Sequence, residues 1–128
     1  MREIYSEIIL DYWKNPKNKG KMENADVVIS EANPLCGDTI TLYFKFDGET
    51  IEDLKFEGSG CVISQSTASM LTEVAKGKNI YDILKLERKN LEKMLHVNLA
   101  PNRLKCALLP LKALKLGIYS YMGKKYKN

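Results

Sequence analysis

The residues of this chain best suited to chemistry are Cys36, Cys61 and Cys106, with Asp38 two positions beyond the first. Each cysteine stands in its own segment: Cys36 in Asn33-Pro34-Leu35-Cys36-Gly37-Asp38, Cys61 after Gly58-Ser59-Gly60, and Cys106 after Arg103-Leu104-Lys105. Free cysteine often serves as a small buried hydrophobe, but none of these three lies in an apolar core run, so the pattern reads as a site assembled from separate loops. Thiolates bind soft metal ions and attack sulfur. A carboxylate can complete a tetrahedral set with three of them, for zinc or for one edge of an iron–sulfur cluster. A hard oxygen among soft sulfurs makes one corner weaker and more exchangeable. The other role for Asp38, capping its own turn through nearby N–H groups, stays open on this ground alone. A permanent structural zinc more simply uses Cys-x-x-Cys pairs, and the chain has none, which favours a site that releases its contents.

These residues need elements to hold them. Ile4, Ile8 and Tyr12, flanked by Tyr5, Ile9 and Trp13, predict an amphipathic helix over 2–14 that ends at Asn15-Pro16. Residues 15–24, rich in Lys, Asn and Gly, read as a polar surface loop. Val27-Val28-Ile29 starts a strand that stops at Asn33-Pro34. Ile40, Leu42, Phe44 and Phe46 then alternate with polar partners, and Asp47-Gly48 is a hairpin signal. The change of parity between Ile51 and Leu54 predicts a bulge or a late strand start. After Cys61, Ile63, Thr67, Met70, Leu71 and Val74 mark one helical face, with Gly77 as the stop. Residues 79–86 and 89–95 read as short helices, the first capped by Asn79. A last helix covers 102–122, with Leu104, Leu108, Leu111, Ile118 and Tyr119 available to face inward and a kink or break expected at Pro110. The class is α+β: a small antiparallel sheet of about three strands, with helices packed on one face, an N-terminal helix and a long C-terminal helix.

On this map all three cysteines lie at element ends. Two gain from the positive end of a helix macrodipole, and Arg103 and Lys105 flank Cys106, so the thiol pKa is expected to fall below the free value of about 8.5. Gly37, Gly58 and Gly60 permit positive φ and close backbone approach. His96, the one histidine, reads as a helix-end residue and not as a ligand.

A chain of 128 residues suits one domain, 1–128. Its 45% hydrophobic and 28% charged composition is that of an ordinary globular protein. No apolar run reaches the roughly 20 residues of a membrane helix, and no basic stripe with interleaved aromatics suggests nucleic acid. The net charge of +4 owes much to Lys124-Lys125-Tyr126-Lys127. The odd cysteine count and the missing secretory leader point to reduced thiols and a cytoplasmic location.

The three cysteine segments, with Cys61-Val62-Ile63-Ser64-Gln65-Ser66-Thr67-Ala68-Ser69-Met70 and Pro101-Asn102-Arg103-Leu104-Lys105-Cys106 as the longest stretches, closely resemble those of the IscU/SufU/NifU iron–sulfur cluster scaffolds. The opening Asp11-Tyr12-Trp13-Lys14-Asn15-Pro16-Lys17-Asn18-Lys19-Gly20 is similar as well. The resemblance implies a sheet-plus-helices fold, sulfur delivery by a cysteine desulfurase, and transfer of a labile cluster to acceptor or carrier proteins. It also implies Cys36, Asp38, Cys61 and Cys106 as ligands, with Gly37, Gly60, Arg103 and Lys105 around them and Cys106 or Cys36 as persulfide acceptor. A 2Fe–2S cluster is the first expectation and 4Fe–4S the second. Lys105 stands where many IscU members have histidine and matches the SufU branch, which implies the alternative of a zinc-dependent sulfurtransferase. Against that, the segment between Cys61 and Cys106 is too short for the usual SufU insertion. Ala100-Pro101-Asn102-Arg103-Leu104-Lys105 also departs from the Leu-Pro-Pro-Val-Lys chaperone motif. A further expectation pairs Lys105 with Asp38 when no metal is bound. A purely structural zinc module is the third reading.

Overall fold

The computed structural model describes residues 6–34 and 37–125, with the side chains of Asn102 and Lys125 left aside. Its elements run α1 (Glu7–Lys14), β1 (Val27–Asn33), β2 (Asp38–Asp47), β3 (Thr50–Ser59), α2 (Val62–Ala75), α3 (Ile80–Leu84), α4 (Arg88–Leu95) and α5 (Pro101–Lys125). The three strands form one antiparallel sheet in the order β1-β2-β3, as the α+β reading expects. Among the described residues no helix is long and apolar enough to cross a membrane.

Strand parity does the first positioning. On β2, Asp38, Ile40, Leu42, Phe44 and Phe46 all point to the covered face and are buried. Asp38 therefore continues an apolar row, each large member of which contributes roughly 1.5–3 kcal/mol by leaving water. The hairpin turns at Asp47–Gly48, where Gly48 takes φ +61. The register shifts where Lys45 pairs with Asp53 but Phe46 with Ile51. Glu52 is thus the extra residue of a bulge, which accounts for the parity change.

Helix α2 crosses the covered face between α1 and α5, and it departs from the expected single apolar face. Ile63, Thr67, Met70 and Leu71 are buried as expected, but so are Ser64, Ser66, Ser69 and Thr72, each with 0% exposure. Small hydroxyl side chains pack on a crowded helix when backbone groups take up their hydrogen bonds. Ser66 Oγ donates to Ile9 O at 2.8 Å, Ser69 Oγ accepts from Lys17 N at 2.8 Å, and Thr72 Oγ1 donates to Ser69 O at 2.8 Å.

The expected surface loop 15–24 is likewise more engaged than its composition suggests. Phe56 N donates to Asn18 O at 3.0 Å and Gly20 N to Phe56 O at 2.8 Å, so the loop covers the outer edge of β3. Helix α1 keeps Ser6 as its N-cap and buries Ile9, while Trp13 stays 46% exposed. Ile4 and Tyr5 lie outside the described residues.

Helix α5 passes Pro110 without the expected break. Its inward side also differs from the expected leucine row. Leu111 and Ile118 are buried with Ala107, Ala113 and Leu114, but Tyr119 is 54% exposed. The cause is close approach: a Cβ on Gly117 would lie 2.1 Å from the Phe44 ring, so the helix meets β2 through small residues. Tyr121 stacks on Phe46 at 3.8 Å and ties the far end of α5 to the hairpin.

Candidate metal and sulfur centre

The antiparallel register joins the start of β2 to the end of β3. Thr39 pairs with Ser59, so Asp38 meets Gly60 and Cys61 just beyond the last pair. Asp38 Oδ1 accepts a hydrogen bond from Cys61 N at 2.8 Å. Gly60 adopts φ +134, and a Cβ there would lie 2.1 Å from Asp38 Oδ1. Only glycine fits this position, for backbone and steric reasons together.

Cys61 is the N-cap of α2, in extended conformation, and its Sγ accepts from Ser64 N at 3.5 Å. Ser64 Oγ returns a bond to Cys61 O at 3.1 Å, and Gln65 Nε2 donates to Ser64 Oγ at 3.1 Å. Sequence reasoning assigned no role to Ser64 or Gln65. The signal was the cap spacing itself, a side-chain acceptor three residues before an N–H.

Cys106 enters from α5 and is 3% exposed. One ligand atom each from Asp38, Cys61 and Cys106 lies within 4.8 Å of the others, so three of the four expected ligands converge. Cys36 lies outside the described residues. The other oxygen of Asp38, Oδ2, is fully buried and has no hydrogen-bond partner among the described residues. A carboxylate placed only to cap a turn would use its lone pairs on nearby N–H groups, and a buried acceptor without a donor is costly. Two thiols and a carboxylate with an unused oxygen are a donor set that fits zinc or iron.

Cys106 does not have the lowered thiol pKa expected from its place in the sequence. Burial pushes it up, and hydrogen bonds and charge from Cys61 and Asp38 push it the same way. Cys106 is past the first turn of α5, where the helix dipole has faded. The expected pairing of Lys105 with Asp38 is also absent: Lys105 is exposed, lies against Asn33, Pro34 and Leu108, and forms no ion pair with Asp38. Gly37 takes φ +73 and donates its N–H to Asn33 O at 2.8 Å, closing the turn between β1 and β2. His96 is the exposed C-cap of α4, in left-handed conformation, and does not join the group of Asp38, Cys61 and Cys106.

Residues 4–128 match the family model of the NifU-like N-terminal domain. The chain belongs to that family. Among NifU-like relatives it is 39% identical to the zinc-dependent sulfurtransferase SufU of Bacillus subtilis, over 94% of this chain and 92% of that protein. It is 40% identical to the iron–sulfur cluster assembly scaffold protein IscU 1 of Archaeoglobus fulgidus, over 97% of this chain and 80% of that protein. The fold matches a crystal structure from Fervidobacterium islandicum, assigned as an iron–sulfur cluster assembly scaffold for the SUF system. Its TM-score is 0.78 at 39% identity, covering 90% of this chain and 96% of that one.

Proposed function

We propose that the chain, acting in the cytoplasm as one domain, is an iron–sulfur cluster assembly scaffold. Asp38, Cys61 and Cys106, with Cys36 as the fourth ligand, hold a cluster of the 2Fe–2S kind while it is built and passed on. The observation that carries this is the unpartnered Oδ2 of buried Asp38 beside two thiol sulfurs within 4.8 Å. Sulfur enters as a persulfide from a cysteine desulfurase. A thiolate, Cys36 or Cys106, attacks the outer sulfur; the S–S bond breaks and the donor cysteine leaves as thiolate. A dithiol or electron-transfer protein then supplies the two electrons that convert the bound persulfide to sulfide. Because Cys106 is buried and holds its proton tightly, it serves only after metal or a partner removes that proton. The finished cluster goes to acceptor or carrier proteins through the oxygen corner.

Zinc-dependent sulfur transfer is the second reading, favoured by the 39% identity to SufU. In it the same ligands would hold zinc, which supplies the charge that keeps the thiols ionised. The alignments weigh toward the scaffold. The match to the Archaeoglobus protein spans 124 positions and 97% of this chain, close to one residue per position. The match to SufU spreads 94% of the 128 residues over 137 positions, so part of that protein has no counterpart here.

Anaerobic incubation of the zinc-loaded chain with a cysteine desulfurase, cysteine and ferrous iron, assayed before and after addition of a dithiol as electron donor, separates the two. The scaffold retains iron and acid-labile sulfide together through gel filtration. Retention of zinc and persulfide without acid-labile sulfide would overturn it in favour of the sulfurtransferase.

A further inference from the structure

We infer that the outer face of α5, running away from the metal centre, is a docking surface for an acidic amphipathic helix of a partner protein. Lys105, Leu108, Lys112, Lys115, Leu116 and Tyr119 recur at steps of one to four residues that keep them on one side of the helix. Two adjoining hollows of about 360 and 370 Å³ share Leu108 and Lys112. Those volumes lie at the small end of ligand pockets and suit protruding side chains better than a whole cofactor. The first hollow begins at Asn33, Pro34 and Lys105, beside the centre, and the second ends on Tyr119. Leu116 and Tyr119 are 37% and 54% exposed. Single exposed apolar residues are ordinary; here Leu116 and Tyr119 continue from the partly buried Leu108 along the row of lysines.

Charge selects the occupant. The 25 residues of α5 contain no Asp or Glu. Lys112 Nζ lies 3.1 Å from Glu31 Oε1, while among the described residues Lys105 and Lys115 have no ion-pair partner. The contact of Lys112 with Glu31 shows within the chain how a carboxylate is met at this rim. A second copy of the chain would set these lysines against each other, which disfavours a symmetric pair. Anionic lipid would answer the lysines but gives no reason for apolar side chains spaced along two shallow depressions, and vesicles serve as the control below. An acidic helix with apolar residues every three or four positions meets both requirements. From Lys105 to Tyr119 the strip is about 21 Å long at 1.5 Å per residue, about four turns of such a helix. That the partner gives sulfur or takes a cluster rests on the function proposed above; the surface itself does not.

The probe is a fluorescein-labelled 15-residue peptide with Leu at every third or fourth position and Glu elsewhere, titrated into the full chain. Expected is saturable binding that weakens with salt, and about tenfold weaker binding to Lys115→Glu and to the double variant Leu116→Ser, Tyr119→Ser. A peptide with Lys in place of Glu does not bind, and neither do phosphatidylglycerol vesicles. Equal binding of the Glu peptide to parent and variants would overturn the inference, as would no binding, capture of the vesicles instead, or self-association lost in the variants. Zinc content of the same samples stays at the parental level, because none of these side chains touches the centre. If the parent fails the anaerobic reconstitution, the proposed function falls while the peptide titration still judges the surface.

Discussion

At the scale of single residues, the centre depends on a glycine as much as on its ligands. Gly60 sits at φ +134 with no room for a Cβ beside Asp38 Oδ1. Gly60→Ala is expected to cost about 1–3 kcal/mol in denaturant unfolding and to abolish zinc retention, because Asp38 must move. Parental zinc stoichiometry in that variant would separate Asp38 from the site. Cys61 is the N-cap of α2 as well as a proposed sulfur ligand. Serine is a favoured N-cap, so Cys61→Ser should keep stability within about 0.5 kcal/mol, read by urea unfolding, while losing metal. Unfolding of that variant would mean that metal binding itself holds the fold together. In the proposed function Asp38 is the hard, exchangeable corner. In Asp38→Ala, transfer of a reconstituted cluster to an acceptor apoprotein is expected to slow about threefold or more, followed by visible absorbance. Transfer at the parental rate would remove the carboxylate from release.

At the scale of elements, the link between α1 and α2 carries a pH signature. Tyr12 Oη donates to Glu73 Oε1 at 2.5 Å. Burial, and then the Glu73 carboxylate, raise the phenol from 10.0 to about 12. The folded state thus favours the neutral phenol: this contribution is fully present below about pH 10 and is lost as pH rises toward 12. Tyr12→Phe should cost about 1 kcal/mol near neutral pH and lose less stability than the parent as pH rises from about 10 toward 12, measured by urea unfolding. A steeper loss in the variant would contradict the assignment. The elements also show what a sequence discloses. β2 was legible because period-two alternation and Asp47-Gly48 are local signals. The all-round burial of α2 was not, because Ser66, Ser69 and Thr72 look like solvent residues until Ile9 and Lys17 are seen beside them. The inward side of α5 was misjudged for a related reason: it packs through Ala107, Ala113 and Gly117, which leaves Tyr119 outside.

At the scale of the whole molecule, residues far apart in the chain meet because one sheet face is covered by two helices that both reach the Asp38 end of β2. The meeting of Asp38, Cys61 and Cys106 was readable from residue types and from family resemblance. Their electrostatics were not: the raised thiol of Cys106 follows from tertiary burial and the separation of Lys105 from Asp38 from its place on the exposed side of α5, neither of which neighbouring residues in sequence reveal. Cys106 is thus a buried sulfur in this structure. The most direct test of the convergence itself is zinc-edge X-ray absorption of the zinc-loaded full chain. It should give three sulfur neighbours at about 2.3 Å and one oxygen at about 2.0–2.2 Å, with the oxygen lost or replaced in Asp38→Ala. A shell with two or fewer sulfurs, or one unchanged by Asp38→Ala, would contradict a shared centre of three thiolates and this carboxylate.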